Sequence, residues 1–93
     1  MRLVFAFPDV ERNIFDDDAE WLLGELLAAD PAAVALAERL QEAHPTGKPI
    51  KTTPAEKRKL LRIFERSTRP RSHDLRAFEV ALHAAAFSEH HPP

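Results

Sequence analysis

Apolar residues recur at helical spacing along most of this chain, most cleanly between residues 54 and 67. At 100° per residue, Leu60, Ile63 and Phe64 share one face of a helix, with Leu61 at its margin. Arg58, Lys59, Arg62 and Arg66 share the other face. Thr53-Pro54-Ala55-Glu56 marks the start. The threonine oxygen can accept from an amide of the first turn, proline fits the first helical position, and the glutamate can reach back to the cap.

The other segments divide by the same criterion. Residues 2–7 alternate as a strand, with Leu3, Phe5 and Phe7 on one face and Val4 and Ala6 on the other. A strand needs a neighbour for its amides. The candidates are a hairpin through Pro8-Asp9 to residues 10–15, an extended arm over the helices, or pairing with another chain. Asp16-Asp17-Asp18 then opens a helix to about Ala29, with Asp17 as cap and Glu20 three residues on. That helix is expected to bury Leu22, Leu23, Leu26 and Leu27. Trp21 lies off the stripe, either closing the core beneath the N-terminal strand or anchoring a partner.

Asp30-Pro31 predicts a tight corner into a helix ending near Ala43, with Ala33, Leu36, Ala37 and Leu40 inward. After a loop, the basic helix and a turn through Thr68-Arg69-Pro70-Arg71, Ser72 can cap a last helix over 73–87. Its pattern is unusual. Leu75, Phe78, Ala81, Leu82 and Ala85 form one apolar face; Ala77, Val80, Ala84 and Phe87 form another, leaving Arg76, Glu79 and His83 as a narrow polar strip. Three further helices can surround only part of such a surface, which points to a partner there.

The predicted fold is mainly α: a small four-helix domain of two helical hairpins with a short N-terminal extended strand or arm. Residues 1–93 form one domain, with an extended segment over 1–15 and an acidic helical hairpin over 16–45. A loop over 46–53, the basic and apolar helices over 54–87 and a frayed tail over 88–93 follow. Charge adds a polarity to this plan. Residues 1–45 carry three cations against ten anions, a net −7, and the remainder carries ten cations against five anions, a net +5. The basic half suits an acidic partner, or the two halves attract each other within or between chains.

Candidate chemistry is sparse. Without cysteine there is no disulfide, thiol nucleophile or cysteine zinc site. With glycine only at 24 and 47 there is no dinucleotide fingerprint, and Gly47-Lys48 lacks the rest of a phosphate loop. Glu79 and His83, four apart, are expected to form a solvated pair rather than an acid–base site. His90-His91 offers only two metal ligands on a loose tail. No catalytic, metal or cofactor-binding residue is assigned. The apolar run at 3–7 stops at Pro8, too short for a signal core or a membrane span, so a cytoplasmic protein is expected.

Two functional classes remain. In the preferred one the chain is a non-catalytic protein–protein interaction or assembly module, homo-oligomeric or bound to a protein partner. Its contacts would come from Phe5, Trp21, Ala77, Val80, Ala84 and Phe87. In the alternative, Arg58, Lys59, Arg62, Arg66, Arg69 and Arg71 grip nucleic-acid phosphates. The last helix offers only Arg76, Glu79 and His83 to base edges, so such a grip would not read sequence. Neither a membrane nor a small-molecule substrate is inferred.

Overall fold

The computed structural model describes residues 1–90, with side chains through Ser88. It is mainly helical, with four helices and a two-stranded antiparallel sheet at the N-terminus. Strands β1 (Arg2–Phe7) and β2 (Val10–Phe15) pair from Arg2↔Phe15 to Phe7↔Val10, so the local hairpin is the partner β1 takes. Neither Pro8 nor Asp9 has a positive φ, so the two-residue loop forms without the mirror-image turns that glycine or asparagine favours.

The other edge of β1 is covered by a segment expected to be plain loop. Ala6 donates its amide to the Ile50 carbonyl at 2.9 Å, and the Ile50 amide donates to the Val4 carbonyl at 2.7 Å. Pro49 restricts the residue before it to extended backbone, and Ile50 buries its side chain against the core. Gly47, at φ 67°, takes the left-handed backbone by which the chain leaves the preceding helix, a conformation strained for residues with a side chain.

Helix α1 (Asp16–Ala29) departs from the expected cap. Asp17 accepts no capping bond; Phe15 occupies the cap position, and Asp16 makes the turn with φ 51° while its amide donates to the Met1 carbonyl at 2.6 Å. The helix buries Ala19, Leu22 and Leu26, with Leu23 half-buried. Leu27 is 49% exposed, because the inward stripe is narrower than four leucines require. Asp30 caps a 3₁₀ turn (Pro31–Ala33) by accepting from the Ala32 amide at 2.9 Å, and α2 (Val34–Ala43) follows with Leu36, Ala37 and Leu40 buried.

The start of α3 (Pro54–Arg66) is a complete capping box: Thr53 Oγ1 accepts from the Glu56 amide at 3.1 Å, and Glu56 Oε1 accepts from the Thr53 amide at 2.8 Å. Leu60, Ile63 and Phe64 are buried as expected, and so is Lys57, whose ammonium donates to the Thr52 carbonyl at 2.6 Å. Helix α4 (His73–His90) runs three residues beyond its expected end, and residues 91–93, including His91, lie outside the described residues. Ser72 accepts from the Leu75 amide at 3.1 Å, as a cap should.

Helix α4 packs across both strands and against α3, while α1 packs against α2, α3 and the sheet. Phe78 is the hub. Its ring lies 4.7 Å from Phe5, 5.6 Å from Phe7 and 5.7 Å from Phe64, centroid to centroid. No described helix is long and apolar enough to cross a membrane.

Candidate interaction surfaces

The outward side of α4 is set by what the inward side buries. Leu75, Phe78, Ala81, Leu82, Ala85 and Ala86 are taken up by the core. The helical repeat therefore turns Val80, Ala84 and Phe87 outward, with Ala77 half-buried beside them. Val80 at 63% and Phe87 at 64% are the most exposed large apolar side chains among the described residues. Next to Ala84 a hollow of about 110 Å³ runs under the hairpin tip, walled by Phe7, Pro8 and Val10.

Of the residues expected at an interface, Phe5 is placed in the core and Trp21 at its margin. Phe5 is fully buried, because β1 is paired on both edges and roofed by Phe78. Trp21 is partly buried against the core. It meets Phe64 edge-on at 5.6 Å, and the Arg69 guanidinium lies 5.5 Å from its ring centroid.

The basic stripe divides into engaged and unengaged cations. Lys59 is ion-paired to Asp30. Arg69 donates to Asp18 at 3.1 Å, and the Ser72 hydroxyl donates to the same carboxylate at 2.7 Å, tying α1 to the α3–α4 turn. Arg71 is a structural residue. It donates to Glu79 at 3.1 Å and to the Phe64 carbonyl at 2.8 Å, with its guanidinium 5.4 Å from the Phe64 ring centroid. Glu79 therefore pairs with Arg71 rather than with His83, and the expected i,i+4 pair is not made. Arg58, Arg62 and Arg66 are exposed and form no ion pair or hydrogen bond among the described residues.

Electrostatics follows these contacts. The Lys59 hydrogen bond, the Ala32 amide and the nearby Arg62 charge hold Asp30 below the usual carboxylate range. At Glu56, burial pushes the carboxyl up, but the Thr53 amide and Arg39 more than offset it and the net shift is downward. Arg39 grips that carboxylate at 2.9 and 3.0 Å and donates to the Lys51 carbonyl at 2.7 Å, joining α2 to the start of α3. Arg39 lies off the inward stripe of α2. The partner lies 17 residues away, where no local spacing points to it.

No described group of three or more histidine, cysteine or acidic side chains could hold a metal ion. No family model, characterised protein or solved structure matches the chain.

Proposed function

We propose that the chain is a non-catalytic protein-interaction module that self-associates through the outward face of α4, two copies packing antiparallel. One observation carries this reading: the exposed strip complements its own reverse. Ala77, Val80, Ala84 and Phe87 are spaced three, four and three residues apart, a pattern unchanged by reversal, and they alternate small, large, small, large. Turned end for end, Phe87 of one copy sits over Ala77 of the other, and Val80 sits over Ala84. Parallel pairing would instead stack phenylalanine on phenylalanine and leave a gap between alanines. A two-fold interface requires such self-complementarity, and alternating small residues let helix axes approach closely.

Among the described residues, Glu79 on the flank of the strip is held by Arg71. In this reading the helix pairs over 16–45 and 54–90 act as two helical hairpins that hold α4 rigid. A phosphate grip is the weaker alternative, because Lys59, Arg69 and Arg71 are engaged internally.

Four side chains per copy make a small contact, below about 1,200 Å², where complexes are transient. Sedimentation equilibrium should show a monomer–dimer equilibrium with Kd on the order of micromolar to millimolar. Val80→Asp places a carboxylate in the seam and is expected to weaken it about tenfold or more, with the helical circular dichroism unchanged. A monomeric mass at all concentrations, or a dimer indifferent to Val80→Asp, would contradict the proposal.

A further inference from the structure

The outward strip of α4 continues beyond the helix. Ala84 also lines the hollow of about 110 Å³ between α4 and the tip of the β1–β2 hairpin. The hollow exists because α4 presents only small side chains there. Ala81, Ala84 and Ala85 face the tip, and no alanine reaches across the gap to Phe7, Pro8 and Val10. Phe7, Ala81 and Ala85 are nearly buried and make the floor, Val10 is half-buried, and the exposed Pro8 and Ala84 stand at the mouth. Asp9 and Ser88, both exposed, complete the lining as a polar rim.

We infer that this hollow is the socket for Val80 of a second copy, so that the hairpin tip as well as α4 forms the self-association surface. Antiparallel α4 pairing, on which this rests, sets Val80 of one copy over Ala84 of the other, at the mouth of the hollow. The two-fold repeats the contact, giving each dimer a pair of sockets. Size and position favour a side chain of a second copy over another occupant. The volume is close to that left by deleting one large aliphatic side chain, on the order of 150 Å³, and well below the roughly 300–1,000 Å³ of sites that take a small-molecule ligand. The strip on α4 is small for a dimer interface, and an apolar wall continuous with it at Ala84 supplies area that the helix alone lacks. Valine in a helix is also nearly confined to one side-chain rotamer, so a seated Val80 fixes how far the two helices slide past each other.

Sedimentation equilibrium of the full chain tests the socket, with Pro8 as the probe because it is exposed on the hairpin and lies off α4. Pro8→Glu puts a carboxylate in the mouth and should weaken the dimer about tenfold or more, with the helical circular dichroism unchanged. Gln41→Glu, on the exposed side of α2, should change it less than about twofold. Pro8→Ala and Val80→Ala should each weaken the dimer. The double variant should lose less than the product of the two losses, since both remove one shared contact. A wild-type monomer at all concentrations would overturn the α4 pairing and the socket together. A dimer sensitive to Val80→Asp but indifferent to Pro8→Glu, or losses that simply multiply in the double variant, would overturn the socket alone. Binding of a small apolar dye by the dimer, abolished by Pro8→Glu, would also overturn it and assign the hollow to a ligand.

Discussion

Phe78→Ala is expected to destabilise the protein by about 3–5 kcal/mol, the range for truncating a buried aromatic ring. The ring is wholly buried and in contact range of Phe5, Phe7 and Phe64, so it joins the sheet, α3 and α4. Its removal opens a cavity where three elements meet, and no single element can collapse to fill it. A domain of this length has a total stability of about 5–14 kcal/mol, so the loss is a large share. Urea denaturation of Phe78→Ala against wild type measures it. Val80→Ala on the outer face of the same helix should stay within about 0.5 kcal/mol. A loss below about 1 kcal/mol for Phe78→Ala would mean that this is not the centre of the core.

The second large effect concerns a residue whose sequence context suggests surface. Arg71→Ala is expected to cost about 2–4 kcal/mol, because it strands Glu79 and the Phe64 and Ser67 carbonyls at the α3–α4 turn. Arg71→Lys should recover only part of this, since an ammonium cannot reproduce a planar fork spread over several acceptors. Arg58→Ala, on the exposed stripe, should fall within about 0.5 kcal/mol. Equal unfolding midpoints for Arg71→Ala and Arg58→Ala would overturn the structural role given to Arg71.

These two residues mark what was legible in the chain before its structure. Elements with strong local signals are visible: the Thr53–Glu56 capping box, the inward stripes of α2, α3 and α4, and the Asp30-Pro31 corner are each specified within a few residues. What depends on tertiary pairing is not. Ile50 carries no local mark of a strand, yet it completes the edge of β1. Phe5 shares the apolar alternation of an exposed contact strand, and only the second edge pairing and Phe78 show that it is core.

The same limit divides the candidate surfaces. The outward turn of Val80, Ala84 and Phe87 follows from helical periodicity, because α4 has two apolar faces and a small domain covers one. Charge counting gave six equivalent cations at 58–71. The partners that separate Lys59, Arg69 and Arg71 from Arg58, Arg62 and Arg66 are Asp30, Asp18 and Glu79. Asp30 and Asp18 are distant in sequence, and no periodicity names them.

Antiparallel pairing of α4 can be tested without background thiols, since the chain has no cysteine. Ala77→Cys and Phe87→Cys are made separately, and each is oxidised alone and in an equimolar mixture at a concentration that populates the dimer. Antiparallel packing puts residue 77 of one copy against residue 87 of the other, so the mixture should yield a disulfide-linked heterodimer while neither variant cross-links efficiently alone. Efficient self-cross-linking of Ala77→Cys would indicate parallel pairing. No enrichment of the mixed species over an exposed control such as Glu38→Cys would contradict self-association through this face.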